Sequence, residues 1–139
     1  MEEPRHTGGC LCGAVRYELS GAVSNLCYCH CNSCRRATGA PMVAWGTVAR
    51  GKLRITRGTL ATYRSSPPVL RGLCAACGTC ITYGNDARDG EIDVTLGSLD
   101  EPARLAPRMH VWVADKLPWV KIADGLPQFE ASPGSASPP

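Results

Sequence analysis

A chain of 139 residues holds one modest core, and its longest apolar runs fall far short of the ~20 residues a membrane-spanning helix needs. One Phe against 15 Gly and 11 Pro disfavours long helices and points to many short elements joined by turns. The formal charge of +3 is too small to impose a polyanionic partner on its own.

The opening, MEEPRHTGGC, is charged and lacks the apolar stretch of a secretory signal, so the expected location is cytoplasmic. In such a reducing compartment disulfides rarely persist. Nine cysteines, an odd number with tight C-x-C spacings, are therefore expected to be metal ligands. The first pair, Cys10-Leu11-Cys12, is followed by a glycine and a strand over residues 14–19 (AVRYEL).

The second cluster runs through CYCHCNSCRRATGAP and includes Cys27, Cys29, His30, Cys31 and Cys34. Residues 31–38 are the best helical stretch, no more than a turn or two. A buried strand follows at 42–48 behind Pro41. Residues 52–57 alternate, Leu53 and Ile55 facing one way and Lys52, Arg54 and Thr56 the other. Further short strands are expected at 60–63, 69–73, 79–83, 91–96 and 109–113, with Arg57-Gly58, Pro67-Pro68, Gly84-Asn85 and Asp89-Gly90 as turns. The fold class is all-β: a small zinc-stabilised sheet with short irregular or helical turns. One domain spans residues 1–130, and the Pro/Ser-rich ASPGSASPP at 131–139 is expected to be disordered.

No acidic residue lies between Glu18 and Asp86, whereas Arg35, Arg36, Arg50, Lys52, Arg54, Arg57, Arg64 and Arg71 do. The same gap holds seven cysteines, and zinc-bound cysteine is thiolate. With seven thiolates and two Zn²⁺ the formal charge of +3 falls to zero, so these bases can serve as counter-charge. Nucleic acid is a disfavoured partner, since the bases lack interleaved aromatics that stack on nucleotides.

The third cluster is Cys74-Ala75-Ala76-Cys77, in RGLCAACGTCITYG. C-x-x-C is a zinc half-site, because a tight turn aims both sulfurs at one ion. With Cys10 and Cys12 as the other half, Cys10, Cys12, Cys74 and Cys77 make a closed four-thiolate site, structural in character. Cys29, Cys31 and Cys34 instead offer three ligands from one loop. Their fourth position is taken by water or substrate in a catalytic zinc site, or by Cys27 or His30 in a closed structural one. Spacing leaves both open, and a redox thiol pair is a weaker third option.

At these residues the chain resembles the glutathione-dependent formaldehyde-activating enzyme family, which includes centromere protein V. GGCLCGAVRYEL, CHCNSCRRATGAP and RGLCAACGTCITY resemble its three cysteine motifs, while GSLDEP, HVWVADKLPW and IADGLPQF resemble its C-terminal landmarks. The resemblance implies an Mss4-like fold with two zinc ions per chain. Cys10, Cys12, Cys74 and Cys77 then match the structural ligands, and Cys29, Cys31 and Cys34 the catalytic ones. It implies a carbon–sulfur lyase acting on a small thiol/aldehyde adduct such as S-hydroxymethylglutathione, with glutathione the candidate thiol. Cys27 and Cys80 are extra thiols that no motif demands.

Zinc bound by three thiolates is a poor Lewis acid yet soft enough to accept a fourth sulfur, which independently favours a thiol substrate. Arg35 and Arg36 are candidates to neutralise the thiolates or bind a substrate carboxylate. His110 and Asp100 are the available proton carriers, and Trp45, Trp112 and Trp119 are expected to fill the core. The rival to an enzyme is a non-catalytic zinc-stabilised binding module. The oligomeric state is left open.

Overall fold

The computed structural model describes residues 3–138. Ten strands are present: β1 (Arg5–Gly9), β2 (Arg16–Ser20), β3 (Ser24–Cys29), β4 (Val43–Ala49), β5 (Leu53–Arg57), β6 (Ala61–Ser66), β7 (Val69–Leu73), β8 (Cys80–Asn85), β9 (Glu91–Thr95) and β10 (His110–Val111). The single α-helix among the described residues, α1 (Asn32–Thr38), sits between β3 and β4. The fold is all-β. No helix of the described residues is long and apolar enough to cross a membrane.

The strands form two sheets, a three-stranded one ordered β1-β2-β5 and a seven-stranded one ordered β10-β3-β4-β9-β8-β7-β6. All pairings are antiparallel except that of β10 with β3. Alternation explains the small sheet: Tyr17 and Leu19 of β2 are buried, and Leu53 and Ile55 of β5 pack against the same core. Strand β4 is flanked by β3 and β9 and is nearly continuously buried from Val43 to Val48.

Three strands differ from what periodicity predicts. Strand β1 contains Gly8 and Gly9, yet it pairs with β2 because Gly8 lies directly over Tyr17; a Cβ there would stand 2.5 Å from the Tyr17 ring. Strand β3 (SNLCYC) is poor in strand formers and is made by its neighbours, β4 on one side and β10 on the other. Strand β10 is shorter than the expected 109–113. It ends where Trp112 turns into the left-handed region at φ +57°.

The core divides into two clusters. One gathers Cys10, Val15, Tyr17, Leu19, Val48, Cys74, Ile81 and Val94, where the two sheets meet. The other gathers Cys27, Cys29, Cys34, Val43, Trp45 and Val111 on the large sheet. Of the tryptophans only Trp45 is buried; Trp112 and Trp119 are exposed, a correction to the expectation that all three fill the core. Their side chains leave the core because the chain from Trp112 onward runs in turns over the surface. The Pro/Ser-rich segment expected to be disordered carries hydrogen bonds, from Trp112 N–H to the Ala131 carbonyl (2.9 Å) and from Glu130 N–H to the Ala136 carbonyl (2.8 Å).

Candidate metal centres

The fold brings the seven motif cysteines into two groups, each with its sulfurs within 4.8 Å of one another: Cys10, Cys12, Cys74 and Cys77, and separately Cys29, Cys31 and Cys34. The four-cysteine group is the one the spacing predicts; in the second cluster, where spacing leaves a fourth member open, Cys27 and His30 lie outside the group. No disulfide links any of the nine cysteines.

Two tight loops build the four-cysteine group. After β1 the chain turns so that Gly13 N–H donates to the Cys10 carbonyl (3.2 Å), and after β7 Gly78 N–H donates to that of Cys74 (2.8 Å). Both glycines have positive φ, +81° and +82°, which is what these turns require of them. The loops also fasten to each other: Leu11 N–H donates to Thr79 Oγ1 at 3.0 Å. The sulfur of Cys12 is 3.7 Å from that of Cys10 and 3.8 Å from that of Cys74, across 62 residues of chain. The Thr79 hydroxyl beside Cys77 draws that thiol down to about 5. A four-sulfur cage fits a tetrahedral metal ion and brings together loops of the small sheet and the large one.

The three-cysteine group is local. Cys29 ends β3, Cys31 caps α1, and Cys34 lies in its first turn. The Cys31 sulfur accepts the Cys34 N–H at 3.3 Å, so a cysteine of this group is also the helix cap. Parallel pairing fixes the strand, with Tyr28 N–H donating to the Met109 carbonyl (2.9 Å) and His30 N–H to that of Val111 (3.0 Å). Three sulfurs this close share protons: hydrogen bonds with Cys29 and Cys34 pull Cys31 down to about 2, while those with Cys31 and Cys34 push Cys29 up. A divalent cation relieves that conflict, because it lets all three ionise together. This donor set therefore fits a soft metal ion.

A cavity of about 620 Å³ opens on this group. Cys27, Trp45, Arg71, Tyr83, Arg88 and Trp112 are among its walls. Trp45 meets Tyr83 edge to face at 5.9 Å. Burial, with Asp93 nearby, pushes the Cys27 thiol up to about 12. Its sulfur is not in the three-sulfur group.

His30 is also outside the group, and it has another occupation. Its Nε2 is 2.8 Å from His110 Nδ1, and His110 Nε2 is 2.7 Å from Asp124 Oδ2. The Asp124 carboxylate, held below its usual range by His110, accepts the His110 Nε2 proton. With a neutral His110 ring its Nδ1 is an acceptor, and His30 donates from Nε2. Burial, with His110 nearby, lowers His30 to about 4, which keeps it neutral. This chain ties the ligand loop to the C-terminal segment, and only the fold reveals it.

The suggested proton carriers lie elsewhere. His110 is buried in that histidine chain, and Asp100 is ion-paired with Arg16 and accepts the Thr7 hydroxyl at 2.7 Å. Neither lines the cavity. Arg35 and Arg36 do not line it either; Arg35 reaches back to Asn32 Oδ1 at 3.4 Å. Several other bases of the acid-free stretch pair with carboxylates beyond it: Lys52 with Glu3, Arg54 with Glu18 and Arg64 with Asp86. Among the described residues, Arg71 is the base whose guanidinium contacts a sulfur of the three-cysteine group, with Nη2 3.8 Å from Cys34 Sγ.

A family model described as glutathione-dependent formaldehyde-activating enzyme matches residues 5–115. An uncharacterized lyase of Schizosaccharomyces pombe is 28% identical over 80 residues, which is 58% of this chain and 58% of that protein's length. A solved Rhodobacter sphaeroides protein superposes with a TM-score of 0.56 at 23% identity, covering 88% of this chain and 98% of that one. At that identity the likeness concerns the fold alone.

Proposed function

The chain belongs to the glutathione-dependent formaldehyde-activating enzyme family, and on that premise we propose that it is a zinc-dependent carbon–sulfur lyase acting on a small thiol/aldehyde adduct. The adduct of glutathione with formaldehyde is the model substrate. The observation that carries this reading is the contrast in ligand number. Four sulfurs gather in one group, whereas the three sulfurs that face the 620 Å³ cavity have, among the described residues, no fourth Cys, His, Asp or Glu in their group.

In this reading Cys10, Cys12, Cys74 and Cys77 hold a structural zinc, and Cys29, Cys31 and Cys34 hold a catalytic one. Zinc bound there supplies a site that keeps an incoming thiol ionised near neutral pH while leaving its sulfur nucleophilic. In synthesis a C–S bond forms between the thiol sulfur and the aldehyde carbon, and the thiol's proton ends on the former carbonyl oxygen. In the lyase direction that bond breaks and the proton returns. The chain's own residues position and shield. The β3–β10 pairing and the cap on α1 hold the three sulfurs in place, and Trp45, Tyr83 and Trp112 give the cavity apolar walls that limit competing water.

Cobalt substitution tests the thiol-binding step, since a sulfur ligand replacing water shifts the visible and charge-transfer spectrum. Titration of the cobalt protein with glutathione should produce that shift, whereas an S-methylated glutathione should not. Cys31→Ser should lose the response together with adduct cleavage, while Cys27→Ser should keep both. An unchanged spectrum with glutathione and other small thiols removes the proposal.

A further inference from the structure

Arg71 lies on β7, in the interior of the large sheet between Tyr63 of β6 and Tyr83 of β8. It is 4% exposed. Burying a guanidinium costs several kcal/mol unless another charge compensates it. Among the described residues, Arg5, Arg16, Lys52, Arg54, Arg64, Arg88 and Arg104 all reach a carboxylate, and Arg71 does not.

Its partners are of another kind. Nε donates to Ser65 Oγ at 3.0 Å, the guanidinium carbon stands 5.0 Å from the Tyr83 ring centre, and Nη2 approaches Cys34 Sγ at 3.8 Å. Ser65 and the tyrosine ring orient the fork but carry no charge to balance it. The second guanidinium of the cavity, Arg88, is already matched by Asp93 and Glu91. The cavity therefore holds one cation without a carboxylate, and that cation faces a ligand sulfur.

Three thiolates around a divalent ion carry a net charge of −1, and one guanidinium brings the ensemble to neutrality. We infer that Arg71 is the fixed counter-ion of the Cys29–Cys31–Cys34 centre, a positioning residue that sets the centre's metal affinity without being a ligand. This rests on the reading of that centre as a metal site. It narrows to one buried β-strand residue the counter-charge that the sequence offered to all eight bases of the acid-free stretch, Arg35 and Arg36 among them. The converse also follows: the metal-bearing centre is what makes a buried Arg71 tolerable.

Metal affinity, not turnover, is the direct readout. Purified protein is titrated with cobalt and zinc against a competing chelator, and the two equivalents are separated by comparison with Cys31→Ser. Arg71→Met should weaken the second equivalent by about 10- to 100-fold, the range typical of partners just outside a metal's ligands, and leave the first unchanged. Arg71→Lys keeps the charge while losing the fork, and should recover most of that loss.

A second equivalent bound by Arg71→Met as tightly as by the parent protein overturns the inference. So does an Arg71→Lys protein as weak as Arg71→Met, since charge would then be irrelevant. Should Arg71→Met lose both metals through misfolding, Arg71→Lys alone decides: a retained second metal supports the counter-ion role, and its complete loss with the first still bound overturns it. Failure of the underlying reading looks different. The parent protein would then bind one metal only, or Cys31→Ser would still bind two.

Discussion

The two cysteine groups are built in opposite ways. Cys10 and Cys12 follow a strand of the small sheet, while Cys74 and Cys77 lie between two strands of the large one. A metal in that cage closes a long loop and joins two sheets. Cys29, Cys31 and Cys34 lie within one β3–α1 corner, where main-chain pairing and a helix cap already hold the backbone. Closing a long loop removes much more chain entropy than bridging a corner. On the proposed reading, the separation of the cysteines along the chain distinguishes a centre that folds the protein from one that equips a cavity.

The largest expected effect breaks this contrast directly. The binding energy of a structural zinc, ~10–16 kcal/mol, rivals a small domain's entire stability. Cys74→Ser or chelation of that centre should therefore abolish the cooperative thermal transition. Cys31→Ser should melt cooperatively with about one metal fewer, because serine is itself a good acceptor for the cap that the Cys31 sulfur now provides. Metal analysis and melting curves with the opposite ranking would mean the two roles are exchanged.

Two glycines sharpen the comparison at the next level. Gly58 has φ +73°, and a Cβ there would stand 2.1 Å from the Ala14 carbonyl oxygen, in the segment following Cys12. Gly39 ends α1 beside the other centre at φ +72°, but its Cβ would meet nothing within 4 Å. Gly58→Ala should cost roughly 2–4 kcal/mol, combining backbone strain with a clash, and Gly39→Ala only about 1 kcal/mol. Chemical denaturation of both variants measures the difference; equal costs would deny the tight seating of the four-cysteine loop.

A smaller effect is expected in alkali. Tyr17 is buried and its hydroxyl is 2.6 Å from Ser98 Oγ; burial pushes its pKa up to about 12, against 10.0 in the unfolded chain. Between those values the unfolded chain releases a proton that the folded one keeps, so stability falls as pH rises. The loss should approach about 2–3 kcal/mol by pH 12 and be absent below pH 10. Tyr17→Phe should flatten this part of the stability profile without changing metal content. An unaltered alkaline slope would place the responsible group elsewhere.

Much of the architecture was legible locally. Alternation at Leu53 and Ile55 marked β5, residues 69–73 matched β7, and residues 31–38 marked α1. Strands β1 and β3 were hidden, because glycines and cysteines carry little strand preference and their pairing partners supply the order. The partition of cysteines was visible for a chemical reason: two ligands on a tight turn must be one or two residues apart.

The sequence by itself determined the two cysteine groups, the all-β class and the family, since these follow from residue types and motifs along the chain. The tertiary structure decided which charges and polar groups meet. Arg71 reaches Cys34 from another strand, and Asp124, His110 and His30 form one chain from three segments. Arg35 and Arg36, the nearest bases in sequence, do not line the cavity. Trp112 faces the cavity instead of filling the core. Electrostatic and packing contacts depend on distance in space, and strand order brings together side chains that sequence proximity cannot select.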